Sequence, residues 1–171
     1  MRYLTIVRHA KAVKAPPGGS DFDRVLNERG RRQCAQLRQW ASDEQTLGRY
    51  GPVTALVSAA TRTRETFQLA FDDTPFVARR EFSDLVYNGT RDVSGEDLLA
   101  QLASLDPVTT SLLVVGHNPT VFDLAYHLIR ELPESLRHDR YPLGGAYVLA
   151  LPEDRPVGSE RYECVDSFVP L

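Results

Sequence analysis

The 171-residue chain is expected to form an α/β fold, a single-domain three-layer sandwich whose mostly parallel sheet carries helices on both faces. Short apolar runs at 3–7, 53–57 and 112–115 are rich in β-branched residues and have the length of buried strands. Stretches with apolar residues at helical spacing come between and after these runs, and such alternation implies parallel strands joined by crossover helices. The length suits one well-buried core and is too short for two ordinary domains. Without repeats, low-complexity tracts or an internal linker, residues 1–171 read as one domain.

The elements follow in order. After the first strand, Pro16-Pro17-Gly18-Gly19-Ser20 marks residues 10–26 as a loop. Asn27 can cap a helix whose Cys34, Leu37, Trp40 and Ala41 form an apolar face. The chain should turn between Gly48 and Pro52 into the second strand, and Thr61 should cap the next helix, with Phe67, Ala70 and Phe71 on one side. A short third strand is expected around Phe76-Val77-Ala78. Ser94 with Asp97 resembles a capping box ahead of Leu98, Leu102 and Leu105. Asn118-Pro119 reads as a cap followed by proline at the first helical position, with Phe122, Ala125, Leu128, Ile129 and Leu132 as the core-facing stripe. Residues 133–144 form a polar connection, and Ala146–Leu151 and Arg161–Phe168 are the closing strands.

Two histidines stand where chemistry is expected. His9, preceded by Arg8, and His117, followed by Asn118, each come directly after a strand-like run. They should therefore emerge at the carboxyl ends of strands, where open α/β sheets bind ligands. Two imidazoles and an arginine at one crevice suit chemistry on an anion such as a phosphoryl group. Arg62 falls in the first turn of the helix after the second strand, where the dipole already makes a cation unfavourable. An anion held jointly by the guanidinium and the free backbone N–H groups removes that conflict. Arg64 looks like a solvated surface residue.

These segments resemble the histidine phosphatase superfamily, also called phosphoglycerate mutase-like. Its pattern is Arg-His-Gly after the first strand, Ser-Pro-x-x-Arg-Ala-x-x-Thr after the second, and Gly-His or Ser-His after a later one. Here they read Arg8-His9-Ala10, Ser58-Ala59-Ala60-Thr61-Arg62-Thr63-Arg64-Glu65-Thr66 and Gly116-His117-Asn118-Pro119. The segment Asp23 to Gly30 is similar to the Arg-x-Leu-x-x-x-Gly stretch that opens the family's first helix, so the likeness spans residues 1 to about 130. Ala10 and Ala59 replace the signature glycine and proline without removing a functional group. Arg8-His9-Ala10-Lys11 looks like the compact bacterial phosphohistidine phosphatases.

The resemblance implies a phosphatase working through a covalent phosphohistidine intermediate. His9 would be the nucleophile, with Arg8, Arg62 and a protonated His117 around the phosphoryl oxygens and Asn118 in the substrate-binding set. Larger relatives place a carboxylic acid between the second and last motifs as proton donor, and Glu81 and Asp84 are the candidates here. No metal and no organic cofactor is needed, because the cationic cluster takes the place of magnesium. The expected partner is a phosphorylated protein, foremost phosphohistidine in a protein, or a small phosphate ester. Two alternatives remain open: a small-molecule phosphatase or mutase of the same fold, and a non-catalytic phosphate-binding module.

Composition narrows the classes further. A net charge of −3 gives no global attraction to nucleic acid or acidic membranes. Cys34 and Cys164 have no metal-ligand spacing and read as small buried apolar residues. The strand-like stretch at the amino terminus is too short for a signal-peptide core, and no run approaches membrane-spanning length, so the cytoplasm is the expected compartment. His127 and His138 read as structural or solvated, and Asp21 and Asp23 as surface partners of Arg29, Arg31 and Arg32. Lys11 and Lys14 lie in a solvated loop, and Gly144-Gly145 permits a tight approach to a strand.

Overall fold

The computed structural model describes residues 1–43, 51–89, 91–158 and 160–171. Among them, six strands form one sheet: β1 (Arg2–Arg8), β2 (Val53–Ser58), β3 (Val77–Ser83), β4 (Ser111–Gly116), β5 (Ala146–Leu151) and β6 (Cys164–Phe168). Four α-helices accompany them: α1 (Glu28–Ser42), α2 (Thr61–Ala70), α3 (Gly95–Leu105) and α4 (Thr120–Leu128). The strand order is β3-β2-β4-β1-β5-β6. The first four are parallel, whereas β5 runs antiparallel to both β1 and β6.

Side-chain alternation along the strands builds two cores. Leu4, Ile6, Leu112 and Val114 face α3 and α4, meeting Leu98, Leu102, Leu124 and Leu128. Val7, Val57, Leu113 and Val115 face the other way and pack on Leu37 and Ala41 of α1 and Phe67 and Ala70 of α2. The sheet is thus the middle of three layers, as the alternation of elements predicts. No helix among the described residues is long and apolar enough to cross a membrane.

Several elements begin or end away from their expected positions. Asn27 caps α1 by accepting from the Gly30 N–H at 2.8 Å, and the Ser94–Asp97 capping box is formed. Thr61, however, is the first residue of α2 rather than its cap; Ala60 occupies the cap with no side-chain bond. The Thr63 hydroxyl donates to the Ser58 and Ala60 carbonyls, tying the strand end to the helix start. Asn118 does not cap α4 either, since Pro119 takes that position and the helix starts at Thr120. Ala125, Leu128 and Ile129 of the expected core stripe are buried, joined by Val121 and Leu124, while Phe122 and Leu132 are only partly buried and Phe122 stacks on Tyr126.

Strand β3 extends well past Ala78, to Ser83, and β6 starts only at Cys164. The connection at 133–144 is less polar than its composition suggests, because Leu136 and Tyr141 are buried and Tyr141 donates its hydroxyl to the Ile6 carbonyl at 2.6 Å. Gly48 to Tyr50 of the expected turn lie outside the described residues.

Candidate active site

Three neighbouring strands deliver the site. In the register of β1 with β4, Arg8 stands opposite Gly116, so His9 and His117 leave the sheet side by side. Strand β2, on the other side of β4, ends at Ser58 and leads within three residues into α2, which carries Arg62. The rings of His9 and His117 lie 5.4 Å apart. Arg8, His9, Arg62, His117 and Asn118 all line one cavity of about 230 Å³ at this carboxyl edge, joined by Lys11, Arg24 and Asn88. The structure thus brings together the histidines, arginines and asparagine singled out in the sequence.

The segment holding His9 is fixed on three sides. The His9 N–H donates to the Gly116 carbonyl at 3.1 Å, the Ala10 N–H to the Thr66 hydroxyl at 3.0 Å and the Lys11 N–H to Gln33 Oε1 at 2.9 Å. Gly30 of α1 passes so close that a Cβ there would stand 2.0 Å from the Lys11 carbonyl oxygen. Glycine is required by that approach rather than by its backbone angles.

His9 Nδ1 lies 2.7 Å from the Ala10 carbonyl oxygen. A carbonyl only accepts, so Nδ1 carries the hydrogen and Nε2 keeps its lone pair. Burial, assisted by the charges of Arg62, Arg8 and Arg24 and opposed by that hydrogen bond, pulls the His9 pKa down to about 3. At neutral pH this is an uncharged imidazole with a free ring nitrogen among cations, the form a nucleophile needs.

His117 is buried as well, and burial together with His9 and Arg62 lowers its pKa to about 2 against a raising influence from Asp21. The imidazolium expected from the sequence is therefore not its resting state: low polarity and adjacent cations disfavour a further positive charge. Its Nε2 is 2.7 Å from Ser58 Oγ, whereas Nδ1 has no partner among the described residues. Arg8 Nε, Arg62 Nε and Asn118 Oδ1 are likewise buried and unpartnered. Each such group costs about 1–3 kcal/mol when left unsatisfied. Three potential donors clustered at one cavity fit a site built for an oxyanion.

The structure adds residues that the sequence reading missed. Asp21 is not a surface partner of the arginines on α1. It sits on a 3-10 turn at Asp21–Asp23 folded over the site. Its carboxylate accepts from Tyr87 at 2.6 Å, from Arg24 at 3.0 Å and from Arg62 at 3.1 Å, and its carbonyl from Arg62 Nη1 at 2.8 Å. Partial burial opposes ionisation, but bonds from Tyr87 and Arg24 and the Arg62 charge outweigh it and bring the Asp21 pKa down to about 2. Tyr87 in turn lies edge-on to His117 with ring centroids 5.5 Å apart. Nothing in the local sequence signals these contacts, which arise only when the loop at 10–26 closes on α2. Ser58 lay inside a recognised segment, but its partner His117 is 59 residues away.

The two carboxylic acids considered as proton donors are placed elsewhere. Glu81 is exposed on the edge strand β3 and pairs with Arg79 at 3.5 Å. Asp84 opens a 3-10 turn and is exposed. Neither lines the cavity. Arg64 is exposed with its guanidinium 4.4 Å from the Phe82 ring centroid, and His127 pairs with Asp123 on the surface of α4. Among the described residues no cluster of His, Cys, Asp and Glu could hold a metal ion.

Solved structures share this arrangement of elements. A protein from Nakamurella multipartitia assigned as the phosphohistidine phosphatase SixA is 26% identical at a TM-score of 0.77, covering 99% of this chain and 96% of that one. One of the same assignment from Agrobacterium tumefaciens is 28% identical at 0.76, covering 99% and 98%. In fold and in sequence the chain is similar to these phosphohistidine phosphatases and, with them, to the histidine phosphatase superfamily. A protein histidine phosphatase SixA complexed with tungstate shares the fold at 21% identity and a TM-score of 0.73, covering 98% and 97%. No family model matches the chain, and no curated protein matches it in sequence. As a histidine phosphatase-like hydrolase, the chain keeps both histidines and both arginines of the superfamily's pattern.

Proposed function

We propose that this enzyme removes phosphate from phosphohistidine in a protein through a phosphohistidine intermediate formed on His9. The observation that carries the reading is the His9 ring, with Nδ1 tied to the Ala10 carbonyl and Nε2 free in a cavity lined by four cationic side chains.

In the first step Nε2 attacks phosphorus while the bond to the substrate's leaving nitrogen breaks. The electron pair of that bond goes to the leaving ring. A phosphohistidine protonated on its distal nitrogen leaves as neutral imidazole and takes no proton from the enzyme. His9 becomes a phosphorylated imidazolium whose Nδ1–H still donates to Ala10. In the second step water attacks phosphorus, the P–Nε2 pair returns to His9, and the water's proton leaves with the phosphate and solvent. Arg8 and Arg62 offer charge-assisted bonds to the phosphoryl oxygens, and a neutral His117 that accepts from Ser58 has its Nδ1–H to give. Asn118 and its neighbour Asn88 complete the binding set.

Glu81 and Asp84 lie off the small cavity, and Asp21 beside it is held ionised by Tyr87, Arg24 and Arg62 and so has no proton to give, which favours this substrate over an alkyl phosphate, whose alkoxide requires protonation. The free cysteines Cys34 and Cys164 fit the cytoplasm as the compartment. The test is to quench the enzyme rapidly on a phosphohistidine peptide and assay for acid-labile phosphate on protein. Wild type should carry it. His9→Ala should carry none and lose turnover by several orders of magnitude. Equal labelling of the two proteins would refute the assignment.

A further inference from the structure

The small cavity adjoins a larger one of about 740 Å³, and Arg62, Asn88 and Asn118 line both. In-line attack by His9 sends the leaving group away from the nucleophile, so the group that carries the phosphate must occupy space next to the small cavity. The two cavities differ in charge. The inner one has Arg8, Lys11, Arg24 and Arg62, whereas the outer one has Asp21, Asp92 and Asp97 with Arg62 as the one cation among the described lining residues. Arg62 is only 5% exposed, already spends both terminal nitrogens on Asp21, and keeps Nε without a partner. The neighbouring Arg91 is engaged with the Leu85 carbonyl at 2.9 Å.

We infer that the outer cavity is a leaving-group subsite in which Asp92 selects N-phosphoryl side chains whose ring is cationic or that are set among basic residues, and rejects phosphate monoesters with anionic leaving groups, the Asp21 carboxylate being already engaged by Tyr87, Arg24 and Arg62. This deepens the phosphohistidine reading above and rests on it. In a phosphohistidine protonated on its distal nitrogen the ring carries a positive charge until the P–N bond breaks, when the bond's electron pair neutralises it. A carboxylate beside that ring favours the protonated, reactive form of the substrate. A monoester bearing a carboxylate or a second phosphate would set a like charge against Asp92. Such contacts act at short range and are weakened by salt.

The test compares two matched phosphohistidine peptides, one flanked by lysines and one by glutamates, at low ionic strength, with p-nitrophenyl phosphate normalising for changes at the inner cavity. Asp92 is the residue to change, since it is exposed and enters no helix cap or ion pair among the described residues. Wild type should favour the lysine-flanked peptide in kcat/KM by about tenfold. Asp92→Lys should reduce that ratio roughly three- to tenfold, the scale of surface charge effects, and Asp92→Asn by less. Circular dichroism checks that both variants are folded. A wild type indifferent to flanking charge, or a ratio unchanged in both variants, overturns the inference while leaving the phosphohistidine reading intact. Hydrolysis of the aryl phosphate but of neither peptide overturns that reading, and the inference falls with it.

Discussion

Two buried neutral histidines should make this protein acid-sensitive well above the range in which carboxylates titrate. His9 and His117 have pKa values of about 3 and about 2 in the folded chain, against 6.5 for the exposed group. Between those limits the unfolded state binds more protons, so stability is fully present above about pH 6.5 and is lost as the pH falls. At pH 5 each histidine forfeits about 1.5 pH units of protonation energy, or about 2 kcal/mol, and the pair about 4 kcal/mol. Asp21, held at about 2, adds its own loss only below the ordinary carboxylate range. Urea denaturation followed by the fluorescence of Trp40, which stacks on Phe168, measures this directly. With a slope of about 2 kcal/mol per molar, the midpoint should drop by roughly 2 M between pH 7.5 and pH 5. Buffers must be free of phosphate and sulfate, which would occupy the site. His9→Asn and His117→Asn should each remove about half of the pH dependence. A midpoint that moves by less than roughly 0.5 M in wild type, or an undiminished shift in both variants, would refute the reasoning.

Other outcomes follow from the same geometry. Gly30→Ala gains about 1 kcal/mol of helix propensity but drives a Cβ into the Lys11 carbonyl, so a net loss of about 2 kcal/mol and a fall in turnover are expected by thermal melting and kinetics. Arg62→Ala should weaken inhibition by orthovanadate about 10- to 100-fold, the worth of one charged hydrogen-bonding group; an unchanged inhibition constant would remove Arg62 from the anion site. Glu81→Gln and Asp84→Asn, whose side chains lie off the cavity, should leave phosphohistidine hydrolysis within about twofold; a loss of 10² or more would restore one of them as a proton donor.

How legible each part was depends on how local its cause is. His9 and His117 could be placed from sequence because each follows a strand-like run directly, and strand ends in a parallel sheet gather at one edge. Arg62 was legible from its conflict with the helix dipole. The cap positions at Thr61 and Asn118 were misplaced because a polar residue before an apolar stripe looks like a cap in any register. The backbone of Ala60 and Pro119 decided the outcome instead. Asp21 was not legible at all. Its position among nearby arginines on α1 suits a surface pair, and only closure of the loop onto Arg62 and Tyr87, 41 and 66 residues away, gives it a place in the site.

Burial is the largest cause of the low pKa of His9, and the cations that lower it further are also those that attract an anion. Arg8, Arg24 and Arg62 raise the cost of protonating His9, which keeps Nε2 available as a nucleophile, and the same charges draw a phosphoryl group. Such an array opposes its own folding unless something offsets it. Asp21 does so for Arg62 and Arg24 on the outer side, while Arg8 Nε, Arg62 Nε and His117 Nδ1 remain unpartnered on buried atoms. An anion that binds these groups removes that cost in the folded state alone, so binding and stability are linked. It also makes protonation of His117 less unfavourable, because a negative charge then lies beside the ring. The acid sensitivity of the protein should therefore shrink when tungstate fills the site, and a neutral additive at the same concentration should leave it unchanged.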